Sequence, residues 1–359
     1  MRVLFAYRYG LLGGVSAQLF NRYPWFSQHF EVGILYEQDH GMVSRFPAGV
    51  ARVTPSAEDK VAAIKEFNPD VIAVIDSPAF MEAWTAAGSP GQLVVEVHTT
   101  TRNKTYLEAL TAEHGISAFV TVSEYMKASL QADGLEAVAP IHIVPNCLDL
   151  RWFDVPSVPR LREKPLLWVG KLDAHKRWRA ALDVMDDALS RHTKDEVRPV
   201  LVGGYTAPQP EIDAFLRRFY ASPTLRRGHW WPYVDYDRMP SVFRSAAQAG
   251  GGLLMTTTNE SFGMAAAEAL MMGCPVVAPD VGALPELIAA DALYEPGDWD
   301  GARARVTRML NDARFRRRIV NETRAQVRDL VHPERAVTAF LGALESLDGA
   351  TAPAAAPVA

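Results

Sequence analysis

Two carboxylates, Glu260 and Glu268, bracket the string Glu-Ser-Phe-Gly-Met-Ala-Ala-Ala-Glu, in which a glycine turn runs into an alanine-rich stretch. A loop that opens a helix offers unpaired backbone N–H groups and a positive dipole end, and so makes a seat for phosphate. The amides of Phe262, Gly263 and Met264 form that seat with Ser261 beside them, and Gly263 permits close approach because it has no Cβ. The flanking acids are unsuited to phosphate and suited to accepting hydrogen bonds from hydroxyls. The ligand so described has a diphosphate in the middle and a polyol at each end, the shape of a nucleotide sugar.

A second string, Leu166-Leu-Trp-Val-Gly-Lys-Leu-Asp-Ala-His-Lys-Arg-Trp178, reads as a strand running into a loop that carries Gly170, Lys171 and Lys176. Open α/β sheets bind ligands at the carboxyl ends of their strands, which is where both amines project. They would neutralise a diphosphate and the charge that grows on it as it leaves. In isolation such lysines are solvated loop residues; beside the paired acids the functional reading prevails. Two Asp-x-Asp strings, Asp235/Asp237 and Asp298/Asp300, read as turn or cap acids, because neither directly follows a strong strand that would aim both at one ion. No metal and no other cofactor is expected, and the arginines around Arg314–Arg318 read as a solvated face.

The elements that must position these residues are legible as short β-branched runs alternating with helical stretches, the pattern of parallel sheets wrapped by helices. The first half predicts strands at 3–6, 31–36, 71–75, 93–98, 118–122 and 141–144, and the second at 165–169, 197–202, 252–255 and 275–278. Three prolines between 155 and 165 mark a linker. The predicted organisation is an amino-terminal domain over 1–155, a second over 156–331, a helix over 332–347 and a disordered tail over 348–359. The 359 residues, 48% apolar, suffice for two cores, and a net charge of −5 argues against a nucleic-acid partner. Cys147 and Cys274 lack metal spacing and read as small buried residues. The first residues read as neither signal peptide nor membrane span, so membrane association is not indicated and a cytoplasmic protein is expected.

Together with Val169–Lys176 and Glu260–Glu268, the run Gly273–Ile288 resembles the donor domain of retaining glycosyltransferases of the GT-B fold, specifically glycosyltransferase family 4. The first half is similar more loosely, through Gly13-Gly14-Val15, Val97-His98, Val122–Met126 and Val144–Asp149. The resemblance implies an α/β protein of two facing Rossmann-like, doubly wound domains with a cleft between them. In it the first domain is the acceptor side, the second the donor side, and a last helix returns to the first. By motif position, Glu268 resembles the acid on the nucleotide's ribose, Glu260 the one facing the transferred sugar, Lys176 the lysine on the diphosphate, and His98 the histidine that hydrogen-bonds the sugar. Gly13 and Gly14 resemble the loop that approaches diphosphate and acceptor. Lys171 stands where the family usually has arginine, keeping the charge and losing the planar fork. Arg177 and Cys147 stand where glycines are common. Trp230, Trp231, Pro232 and Tyr233 fall where the nucleobase loop lies, and Thr99, Thr100 and Arg102 neighbour His98 on the acceptor side.

The activity so implied moves a sugar from a nucleoside diphosphate to an acceptor hydroxyl with retention at the anomeric carbon, without a metal, the leaving phosphate itself taking the acceptor proton. The acceptor is favoured as a small metabolite or natural product. Two alternatives remain: a nucleotide-sugar epimerase or phosphorylase-like enzyme of the same architecture, and a catalytically silent sugar-nucleotide binding module.

Overall fold

The structure is a computed structural model that describes residues 1–100, 102–154, 157–190 and 196–348, the side chains of 102–104 and 348 excepted. The chain divides into two compact units, one of Met1–Cys147 with the segment from His332 on, the other of Leu148–Val331. The division falls ahead of the proline-bearing segment, and the tail expected from residue 348 begins, at Asp348, as the end of a helix; from 349 on it lies outside the described residues.

The first unit runs β1 (Arg2–Gly10), α1 (Gly14–Phe26), β2 (Glu31–Asp39), β3 (Ala51–Val53), α2 (Ala57–Phe67), β4 (Val71–Ile75), α3 (Pro78–Ala86), β5 (Gln92–Glu96), β6 (Ile116–Thr121), α4 (Glu124–Ala132) and β7 (Ile141–Ile143). Its seven strands form a parallel sheet in the order β3-β2-β1-β4-β5-β6-β7. Helices on the faces of a parallel sheet bury both sides of its strands, which is why β4 reads Val-Ile-Ala-Val-Ile and is buried throughout. Because β1, β4 and β5 are parallel neighbours, the loops after Gly10, Ile75 and Glu96 leave from one edge of the sheet. Strand β5 ends at Glu96, two residues short of the expected His98, as the chain turns there over Asp76, whose carboxylate accepts from the His98 N–H.

The second unit runs β8 (Lys164–Val169), α5 (Trp178–Ser190), β9 (Val197–Val202), α6 (Gln209–Ala221), β10 (His229–Trp231), α7 (Met239–Ala249), β11 (Gly252–Leu254), α8 (Met264–Met271), β12 (Val276–Pro279), β13 (Leu293–Tyr294), α9 (Trp299–Asn311) and α10 (Ala313–Leu330). Its sheet has the order β10-β9-β8-β11-β12-β13. Strands β8 and β11 are neighbours, so the lysine loop and the loop leading to Glu260 emerge side by side.

The last helix, α11 (Pro333–Asp348), belongs to the first unit. Its Phe340 ring lies 5.1 Å from Phe26, 5.9 Å from Phe5 and 5.8 Å from Phe30, all buried in one core with Val337 and Leu344. Among the described residues no helix is long and apolar enough to cross a membrane.

Candidate active site

In the second unit the loops after β8 and β11 are stitched together before any ligand is considered. The Thr258 N–H donates to the His175 carbonyl at 2.8 Å, the Thr256 hydroxyl donates to the Lys176 carbonyl at 2.8 Å, and the Lys176 N–H donates to Asp173 Oδ1 at 2.7 Å. The Trp168 indole in turn donates to the Thr256 hydroxyl at 3.1 Å. That frame brings Lys176 Nζ to 2.5 Å from Glu260 Oε1, although 84 residues separate them. Their side chains are 25% and 12% exposed, mostly shielded yet still in reach of solvent. His175 sits in the same frame with its ring Nδ1 2.9 Å from the Thr258 hydroxyl, and burial, aided by Lys176, holds its pKa below the ordinary histidine value. Lys171, at the lip of the loop beside half-buried Gly170, is exposed.

Glu260 is fixed from behind. Its N–H donates to Asn259 Oδ1 at 2.8 Å and its carbonyl accepts from the Ala283 N–H at 2.9 Å. Gly282, at φ +59°, lies so close that a Cβ there would stand 2.3 Å from the Glu260 carbonyl oxygen, so only glycine lets this loop seat. Ser261 and Met264 are half-buried and Phe262 is buried. Gly263 caps α8 in the left-handed region at φ +94°, with a Cβ position only 2.7 Å from Leu284 Cδ2. At the start of α8 the Ala266 and Ala267 N–H groups donate to the Gly263 carbonyl at 2.9 and 3.1 Å, which leaves the Met264 and Ala265 N–H groups without helical partners, close in the chain to Glu260. One helical turn on, Glu268 is buried, accepts from the Tyr236 hydroxyl at 3.1 Å, and is pushed up to about 8 by burial, an effect the Tyr236 bond partly opposes.

The first unit holds a second polar cluster, at the carboxyl ends of β4 and β5. His98 is buried, and its Nε2 lies 3.2 Å from Glu96 Oε2, while Glu96 Oε1 accepts from Arg22 Nη1 at 2.7 Å. Thr99 and Thr100 are half-buried next in the chain, and the Arg102 side chain lies outside the described residues. Gly13 is the extended cap of α1, its carbonyl accepting from the Ala17 N–H at 2.8 Å; exposed Gly14 has open space where a Cβ would be.

The aromatic segment is a strand where a loop was expected, and its alternation separates the residues expected to wall one base. Trp230 turns inward, its ring 5.0 Å from Phe215 and its indole N–H donating to the Gly203 carbonyl at 2.9 Å. Trp231 faces the other side, parallel to His229 at 6.1 Å, and with exposed Tyr233 it edges a cavity of about 1000 Å³ floored by Leu167, Val200 and Val242. Neither Lys176, Glu260 nor Glu268 lines that cavity. Exposed Pro232 accepts from the Tyr205 N–H at 3.2 Å.

The acids of the Asp-x-Asp strings are engaged locally. Asp235 accepts from the Tyr233 hydroxyl at 2.9 Å, Asp237 pairs with Arg151, Asp298 caps α9 and Asp300 pairs with Arg303 at 2.5 Å. Among the described residues no group of three or more histidine, cysteine, aspartate or glutamate side chains is placed to hold a metal ion.

Sequence reasoning missed Arg22, Asp76 and Glu96 in the first unit, and Tyr236 and His175 in the second. The available signal was charge inside apolar runs: Glu96 within Leu-Val-Val-Glu-Val, and Asp76 directly after the all-apolar β4.

Residues 154–326 match the family profile for glycosyl transferases group 1, and residues 22–152 match that for glycosyltransferase family 4. D-inositol 3-phosphate glycosyltransferase of Xylanimonas cellulosilytica is 30% identical over 197 residues, 46% of this chain and 45% of the relative. The protein of the same description from Corynebacterium diphtheriae is 30% identical over 125 residues, 35% of this chain and 28% of the relative. The chain thus spans less than half the length of these curated relatives. Among solved structures, Anabaena HepE in complex with UDP and glucose is similar at a TM-score of 0.76 and 16% identity, covering 98% of this chain and all of that one. Sucrose-phosphate synthase from Thermosynechococcus elongatus is similar at 0.76 and 17%, with the same coverage.

Proposed function

Because the chain belongs to the group 1/family 4 glycosyltransferases and has their GT-B fold of two parallel-sheet α/β domains, we propose that it transfers a sugar from a nucleoside-diphosphate sugar to an acceptor hydroxyl. The observation that carries this reading is the Lys176–Glu260 contact, made by two loops at the carboxyl edge of one sheet, with Glu260 close in the chain to the open start of α8.

In this reading the diphosphate sits against the α8 amides, with Lys176 and Lys171 supplying positive charge. Glu260 accepts hydrogen bonds from the transferred sugar and Glu268 from the ribose, and His98, in the first unit, matches by motif position the histidine that serves the sugar. Transfer retains the anomeric configuration: the bond from the anomeric carbon to the β-phosphate oxygen breaks, the acceptor oxygen bonds the same face, and its proton passes to the departing phosphate. Stabilising that phosphate is the chief catalytic task, and amides and amines held in place before reaction perform it without reorganisation. A UDP-sugar is the favoured donor, since HepE is described with UDP and with UDP-glucose bound. A small polyol or similar metabolite is the favoured acceptor, in keeping with the relatives named for D-inositol 3-phosphate.

Thermal unfolding with UDP, GDP, ADP and their sugars tests the donor site. A ligand at a hundred times its dissociation constant stabilises the fold by about 2.7 kcal/mol, and the absence of a shift with every nucleotide refutes the reading.

A further inference from the structure

His98 is held from two directions, and one of its holders is itself held. Its N–H donates to both oxygens of Asp76, at 3.2 and 3.1 Å; its ring Nε2 faces Glu96 Oε2 at 3.2 Å; and Glu96 is locked by Arg22, whose Nη1 donates to Oε1 at 2.7 Å. Arg22 is anchored in turn by its Nη2, which donates to the Val144 carbonyl at 3.2 Å. Arg22 and Glu96 are 1% and 0% exposed. Asp76 reaches the His98 amide from a left-handed backbone at φ +43°, a conformation that aspartate adopts more readily than most side-chain-bearing residues.

A buried ion pair is a poor device for stability, because an apolar pair of similar volume does as well or better. Its use here is directional. Burial pushes the Glu96 carboxyl up, yet the Arg22 charge and the hydrogen bonds from His98 and Arg22 outweigh burial and hold it below the ordinary glutamate range, so Glu96 is a permanent acceptor. A neutral imidazole facing a carboxylate through Nε2 carries its hydrogen on that nitrogen. No described residue bonds Nδ1.

Resting on the reading that His98 serves sugar transfer, we propose that Arg22, Glu96 and Asp76 are positioning residues that fix His98 as the Nε2–H tautomer and present its Nδ1 lone pair to a substrate hydroxyl. Asp76 sets the backbone, Glu96 sets the ring and Arg22 keeps Glu96 from turning.

Long-range proton–nitrogen spectra of the full chain labelled with 15N-histidine read the tautomer without any assay of turnover, the His98 signals being assigned by their loss in His98→Asn. The wild type is expected to show the Nε2–H form. Arg22→Met/Glu96→Leu removes both charges together, so it leaves no unpaired ion and should fold; it is expected to lose that tautomer preference and to lower kcat on the order of 10²-fold, with donor KM little changed. Glu96→Gln has a single acceptor oxygen, which Arg22 claims, so its NH2 faces Nε2 and should turn the ring toward the Nδ1–H form. An Nδ1–H ring in the wild type, or the same tautomer in the double variant, overturns the cradle. A lost tautomer with kcat unaltered overturns the link to transfer. Nucleotide-induced stabilisation, measured on the same samples, reports separately on the donor site in the second unit.

Discussion

The two polar clusters use opposite physics. In the first unit Arg22 and Glu96 are sealed from water and meet at 2.7 Å, with Glu96 also facing His98. In the second, Lys176 and Glu260 meet at 2.5 Å with a quarter and an eighth of their side-chain surfaces open. A sealed pair cannot exchange its partner without leaving an ion in low dielectric, so it serves as framework. A pair still in reach of solvent can give up its contact to a ligand, since water and ligand atoms compensate each charge. The difference separates residues that orient from residues that bind.

The contrast is broken most directly by removing one cation from each pair. Arg22→Met leaves the Glu96 carboxylate buried without its guanidinium and should cost about 3–5 kcal/mol of unfolding free energy, read from urea denaturation. Lys176→Met should cost about 0–1 kcal/mol by the same measurement. Equal losses at the two sites would show that the pairs do not differ in kind. For turnover the order reverses: Lys176→Met should slow transfer by about 10²–10³-fold, the size of losing one preorganised stabiliser of a leaving anion, as read from nucleoside diphosphate release.

Acidity sharpens the comparison because the two buried glutamates, Glu96 and Glu268, shift in opposite senses, while Asp76 beside Glu96 is raised to about 6 by burial. Glu96 is held at about 2, so its contribution is present above the ordinary glutamate range and is lost as pH falls toward 2. Glu268 is raised to about 8 by burial, which the Tyr236 bond only partly offsets. The folded state then binds its proton more tightly than the unfolded chain, so stability falls as pH rises from about 4.5 to 8. Glu268→Gln should flatten the melting temperature over that window, while a nucleotide whose ribose donates to the carboxylate should bind the wild type more tightly as pH passes 8. A wild type and variant with parallel melting curves from pH 5 to 9 would remove Glu268 as a buried, protonated acid.

Legibility in the sequence followed distance along the chain. Glu260, Gly263 and Glu268 share one turn and one helix, so their grouping is visible in the string itself, and the apolar runs within β1, β2 and β4 announce a parallel sheet. Arg22 and Glu96 are 74 residues apart, and nothing local marks either as the other's partner. Strands β3, β10 and β13 escaped because each is two or three residues long and β10, His-Trp-Trp, reads as an aromatic loop, whereas the equally short β7 and β11 were expected. The error at Trp230 and Trp231 follows from that: in a loop both rings could face one ligand, whereas in a strand alternation sends them apart.

The smallest effect belongs to Arg177, the residue after the binding lysine, where the resemblance leads one to expect glycine. Its backbone is left-handed at φ +48°, which costs a side-chain-bearing residue about 1–2 kcal/mol. Its guanidinium lies 5.8 Å from the Trp299 ring centroid, a contact worth about 0.5–1 kcal/mol at an exposed site. Arg177→Gly relieves the first term and forfeits the second, and it adds the entropy of a freer unfolded chain, about 0.5–1 kcal/mol. The three nearly cancel, so stability should move by less than about 1 kcal/mol. Arg177→Val keeps the backbone penalty, worsens it with a branched Cβ and loses the ring contact, so it should be the less stable variant by at least about 1 kcal/mol. Urea midpoints in the reverse order would show that this position does not need the left-handed turn, and that the lysine loop holds Lys176 against Glu260 by other means.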